Sequence, residues 1–170
     1  MAPPDDSPTS EFSGLVYRVV QRGVDPLSTV GSGRNGGRYN SPGDEGILYT
    51  SFEKETCIDE VAKGLRARGV DPRDYGPEDW WLYELETSLD AILDLTDENV
   101  LKRFQINSAD LLQDDVTVTR RIGKQALEEG YQGILAPSAA RPGEKNLVIF
   151  LRKAPQFPSA RSSMPIGFKD

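Results

Sequence analysis

Four polar residues, Arg18, Arg38, Tyr49 and Glu60, stand where local structure prefers something greasier or does not require them. Arg18 interrupts the apolar run "GLVYRVV". Arg38 follows two glycines in "GGRYN", beside Tyr39 and Asn40. Tyr49 comes eleven residues after Arg38, and Glu60 eleven after Tyr49. Further on, "APSAARPGEKN" adds Ser138, Arg141 and Asn146. Arginine stays charged and grips phosphate oxygens with two parallel N–H donors. A carboxylate steadies positive charge that develops during a reaction. The chain has no histidine, which removes the commonest general base, the commonest metal ligand and every Ser-His-Asp triad. With one cysteine as well, no metal site is expected. Any catalysis falls to carboxylates, arginines, hydroxyls and aromatic rings.

"GSGRNG" at 31–36 spells the glycine fingerprint of dinucleotide-binding Rossmann folds. That fingerprint works only where a strand ends, the glycines turn, and a helix N-terminus meets the pyrophosphate. Here "GRYNSPGDEG" follows, with too many helix breakers for a helix to start, and "RGVDPLSTV" before it is a poor strand. The Rossmann reading fails on this context. A loop from about 31 to 46 is the expectation, and its glycines let a ligand approach the backbone closely.

The elements that must position these residues follow from pattern. "GLVYRVV" at 14–20 and "GILYTS" at 46–51 read as strands. Thr50 and Glu53 have capping-box spacing and open a helix through "SFEKETCIDEVAKGLRAR", which Gly69 closes. Cys57, Ile58, Val61, Ala62 and Leu65 recur on it at helical spacing. A proline-punctuated connector leads to strands at 81–88 and 91–95, then a short helix capped by Thr96. "VTRRIGKQALEEG" reads as a helix ending at Gly130, and "YQGILAPS" and "NLVIFL" as the last strands. Residues 1–13 are expected to be disordered, 14–153 to form one domain, and 154–170 to be a Pro/Ser-rich tail. Strands and helices mix without strict alternation, so the fold class is α+β.

Composition narrows the partners. The 170 residues are 37% hydrophobic and 28% charged, ordinary for one soluble domain. No apolar run nears the roughly 20 residues that span a bilayer, and the N-terminus lacks a secretory pattern. A lone Cys57 suits a reducing cytoplasm. Net charge is −7 and "RRIGK" is diluted by acidic neighbours, so attraction to nucleic acid is not expected.

The stretches "YRVV", "GGRYN", "ILYTS", the Glu60 helix and "GILAPSAARPGEKNLVIF" resemble the RES domain, a toxin family named for its Arg, Glu and Ser. Where the family often has Trp, this chain has Tyr39. The resemblance implies an ADP-ribosyltransferase-like fold, a split central β-sheet flanked by helices around a cleft for NAD as substrate. It also implies a bacterial type II toxin neutralised by an Xre-type helix-turn-helix antitoxin. Under it Glu60 faces the positive ribose formed when the nicotinamide bond breaks. Arg18 and Arg38 hold the pyrophosphate or a ribose, and Tyr49 stacks on nicotinamide. Tyr39, Asn40 and Asn146 join the cofactor site. Ser138 bonds the nicotinamide amide or ribose, or orients Glu60.

Plainer readings stand beside these. Glu60 lies off the centre of its helix's apolar face, as a solvated residue would. Arg18 suits a strand-edge snorkel, Tyr49 a core position, Arg38 a loop charge, and Ser138 a turn after Pro137. Trp80 and Trp81 read as packing. Three functions compete: NAD+ degradation by water or phosphate, ADP-ribosyl transfer to a protein acceptor, and a non-catalytic partner-binding module.

Overall fold

The computed structural model describes residues 2–169. Strand β1 (Ser10–Gln21) is the first element, followed by helix α1 (Val30–Asn35), strand β2 (Leu48–Ser51) and helix α2 (Lys54–Ala67). Strand β3 (Trp80–Asp94), helix α3 (Glu98–Arg103), helix α4 (Thr117–Glu128) and strands β4 (Gly133–Pro137), β5 (Lys145–Ile149) and β6 (Ser159–Ile166) complete the order. Short 3-10 turns at Pro72–Asp74 and Ser108–Leu111 sit in the connections. The result is a mixed α+β single domain.

The strands fall into two halves. β3 pairs antiparallel with β1 on one side and β6 on the other, while β5 pairs antiparallel with β2 and β4. Two seams join the halves: a three-residue parallel pairing of β3 with β4, and a single β1–β2 pair, Tyr17↔Ser51. Beyond that pair β1 and β2 diverge. α3 and α4 pack over Ile134, Ala136 and Val148, and Tyr131 and Leu111 are fully buried there. α2 instead seats Cys57 and Leu65 against Val19, Trp80 and Leu82. Between them Val16, Leu48, Leu85, Leu147 and Ile149 form the remaining core.

Several expectations need correcting. Residues 154–170 are no tail: Ser159–Ile166 pair with β3, with Trp80 opposite Ile166. β1 begins at Ser10, inside the stretch expected to be disordered, and Tyr131 Oη donates to Pro8 O at 3.0 Å. The glycine loop does start a helix, α1. Ser32 Oγ donates to Ile47 O at 2.7 Å and accepts from Ile47 N at 3.0 Å, so tertiary bonds override poor propensity. Thr50 caps nothing; its hydroxyl donates to Leu147 O at 2.6 Å inside β2, and Glu53 precedes α2 without a side-chain cap. The two strands at 81–95 are one, β3. Asp97, not Thr96, caps α3 by accepting from Asn99 N at 2.8 Å.

Candidate active site

Where β1 and β2 diverge, a cleft of about 620 Å³ opens, roofed by α1 and walled by α2. Small-molecule sites run about 300–1,000 Å³. Three arginines line it, Arg18, Arg38 and Arg68. Among the described lining residues Glu60 is the one carboxylate. A chain of net charge −7 therefore presents a cleft whose charged groups are mostly positive.

Glu60 stands on α2, three residues past the buried Cys57, on the flank of the helix that turns from the core toward the cleft. Two donors converge on its Oε1: Ser138 Oγ at 2.6 Å and Asn146 Nδ2 at 2.7 Å. No described residue hydrogen-bonds Oε2. Asn146 lies on β5 directly across from Ser51, and its Oδ1 accepts from Ser51 Oγ at 2.7 Å. The Glu60 carboxylate, which only accepts, sets the amide with Nδ2 toward it and leaves Oδ1 to Ser51. Ser138, only 2% exposed, follows β4; its Oγ also accepts from Ala140 N at 3.2 Å and Arg141 N at 3.0 Å. The hydroxyl proton is thereby left to the carboxylate. Of the alternatives open for Ser138, the geometry favours orienting Glu60, and Ser138 does not line the cleft. Arg141 turns away to Asp59, at 3.7 Å.

Arg18 lines the cleft from β1. Its Nη2 donates to Ser28 O at 2.7 Å, while Nε is buried without a partner. No carboxylate forms an ion pair with it among the described residues, and burial brings its pKa down to about 10. Arg38 reaches the cleft from the glycine loop. Its Nη1 donates to Gln113 O at 2.6 Å and Leu111 O at 3.3 Å, so the segment before α4 holds the guanidinium in place.

Tyr49 is tied by its hydroxyl, which donates to Asn40 Oδ1 at 2.8 Å and accepts from Tyr39 N at 2.9 Å. Burial holds its phenol well above the ordinary range. Its ring lines the cleft and packs on the core, and Gly37 is required beside it, since a Cβ there would collide with the hydroxyl. Tyr39 and Asn40 are not brought to the cleft. Tyr39 is 3% exposed within the core, and Asn40 donates to Ser32 O at 2.8 Å, bracing α1. Of that trio Arg38 alone lines the cleft. Residues the sequence reading missed include Ser51, Gly64 and Arg68. Helical spacing from Glu60 reaches the last two; nothing local marks Ser51. Trp80, read as packing, is buried in the core and also lines the cleft.

The profile of the RES domain matches residues 15–167. "Probable NAD(+) phosphorylase Rv3189" of Mycobacterium tuberculosis is 31% identical over 131 residues, 77% of this chain and 61% of that protein. This chain thus spans less than two thirds of that relative's length. "NAD(+) phosphorylase MbcT" of Mycobacterium bovis is 27% identical over 135 residues, 79% of this chain and 73% of that protein. Among solved structures, the crystal structure of the M. tuberculosis MbcT-MbcA toxin-antitoxin complex matches with a TM-score of 0.82 and 25% identity, covering 94% of this chain and 87% of that one.

Proposed function

This chain belongs to the RES domain family, and from that premise we propose that it is a toxin that cleaves the nicotinamide–ribose bond of NAD+ by phosphorolysis. One observation carries the reading: a carboxylate pinned by two donors lies in a cleft otherwise charged by arginines. As the C1″–N bond breaks, its electron pair leaves on nicotinamide, which becomes neutral. Positive charge is left on the ribose. Glu60, held by Ser138 and Asn146, would face that sugar and stabilise the transition state more than the ground state. A phosphate oxygen then bonds C1″, giving ADP-ribose 1″-phosphate.

Arg18 and Arg38 would hold the pyrophosphate, and Tyr49 would pack on nicotinamide and exclude water. The roles proposed earlier for Tyr39 and Asn40 become supporting ones, bracing Tyr49 from behind the cleft. Two three-stranded halves around a cleft support an ADP-ribosyltransferase-like reading of the sheet. The partner would be a helix-turn-helix antitoxin of the Xre type, and the coenzyme pool attacked would be the cytoplasmic one.

The test is nicotinamide release from NAD+ by the purified chain, with and without phosphate, beside Glu60→Gln. Phosphate-dependent release, lost in the variant by about 10²–10³-fold, is expected. Release indifferent to phosphate would turn the reading to hydrolysis, and label entering a protein would turn it to transfer. No release in any setting overturns it.

A further inference from the structure

A glycine sits in the middle of α2 without a packing reason. Gly64 is flanked by helical residues on both sides, where glycine destabilises relative to alanine. Its φ is not in the left-handed region, and a Cβ built on it meets nothing within 4 Å. Neither backbone conformation nor a close neighbour demands it. It does line the cleft, one turn beyond Glu60, and Arg68 lines the same cleft one turn further. Arg68 Nε donates to Gly64 O at 3.2 Å, which keeps the guanidinium beside the bare backbone.

From these observations we infer that the α2 face Glu60–Gly64–Arg68 is the track for the adenosine end of the dinucleotide, with Gly64 leaving room for it. Eight residues of helix advance about 12 Å at roughly 1.5 Å each. The strand on which α2 packs keeps pace: Arg18 to Gln21 on β1 covers about 10 Å at roughly 3.3 Å per residue. This far end changes character. Val20, Val24 and Trp80 line it, an apolar setting for a flat base, and the Trp80 indole N–H has no partner among the described residues. Among the described lining residues Arg68 is the cation at that end of α2, suited to the adenosine-side phosphate or ribose oxygens. The inference rests on the NAD+ reading for its ligand, and it adds that the site measures the whole dinucleotide.

The experiment pairs Gly64→Ala with Arg68→Gln. Affinity for ADP, which lacks the reacting sugar, is measured by calorimetry, and nicotinamide release is measured from NAD+ and from nicotinamide mononucleotide. Each variant should weaken ADP at least tenfold and raise KM for NAD+ by a similar factor. Turnover of the mononucleotide should change less than twofold. Gly64→Ala should also melt higher than the parent, because alanine favours the helix, which separates lost room from lost folding. ADP affinity unchanged in both variants overturns the inference. Equal losses on NAD+ and the mononucleotide also overturn it, since the change would then lie at the reactive end. A parent protein that binds ADP through these residues yet releases no nicotinamide sinks the NAD+ reading and leaves the nucleotide track standing.

Discussion

Ser138→Ala removes one of the two donors on Glu60 without touching the cleft wall. In the native protein Ser138 Oγ gives its proton to Glu60 Oε1 at 2.6 Å, while Asn146 Nδ2 supplies the second bond at 2.7 Å. A hydrogen bond to a charged group is worth about 1.5–3 kcal/mol. If half to all of that is felt when the ribose becomes positive, the barrier rises by about 1–3 kcal/mol. At roughly 1.36 kcal/mol per tenfold, kcat falls about 5- to 150-fold. KM for NAD+ should move little, because Ser138 is 2% exposed and does not line the cleft. The assay is steady-state nicotinamide release in four proteins: parent, Ser138→Ala, Glu60→Gln and the double variant. Residues that act as one unit are non-additive. Ser138→Ala should therefore cost far less in the Glu60→Gln background than in the parent. Equal costs in both backgrounds, or a raised KM at unchanged kcat, would refute the claim that Ser138 acts through Glu60.

Tyr49→Phe strips the hydroxyl that bridges Tyr39 N and Asn40 Oδ1. Leaving those groups unsatisfied costs about 1–3 kcal/mol, read by calorimetry as a drop of roughly 2–4 °C in Tm per kcal/mol. An unchanged Tm would show the bridge to be idle. Cys57 gives a pH test. Its thiol donates to Tyr17 O at 3.3 Å, and burial pushes its pKa up to about 12 from an ordinary 9.0. A pKa raised on folding means the contribution is complete below pH 9 and is lost as pH climbs toward 12. Urea unfolding should show stability declining from about pH 9, and Cys57→Ala should flatten the first part of that decline. A parent curve level to pH 11 would contradict it.

What the sequence disclosed and what it hid divide along a physical line. Arg18 and Glu60 were visible because a charge inside an apolar run or beside an apolar helix face is costly, and cost draws notice. Ser138 was visible as a residue but not as a role, since its bond to Glu60 spans 78 positions and the β2–β5 and β4–β5 ladders together bring them close. Tyr39 and Asn40 misled because they neighbour Arg38, yet Tyr39 turns under α4, where Gly123 approaches its carbonyl too closely for any Cβ. β6 was hidden for a different reason. Its Ser159–Pro165 stretch is exposed at every position, so no alternation betrays a strand, and pairing with β3 alone defines it. α1 likewise exists through the contacts of Ser32 and not through the helix propensity of two glycines.

Net charge is a poor guide to the charge of the cleft. At −7 the whole chain repels polyanions at a distance, where screened charges sum. Inside the cleft only neighbours count, and there three arginines face one carboxylate. Arg18 makes the point sharply. Its guanidinium is desolvated enough to lose proton affinity, has one carbonyl at 2.7 Å, and keeps a buried Nε without any acceptor. A half-buried guanidinium short of acceptors is costly to the fold. Its place beside the cleft is explained once an anion completes the set of acceptors. On the proposed reading a pyrophosphate would do so and, by its length, would carry the ribose past Glu60 and the base toward Arg68. That cost would then be recovered as binding energy at the two phosphates, and Glu60 would act on the charge that appears only as the bond breaks.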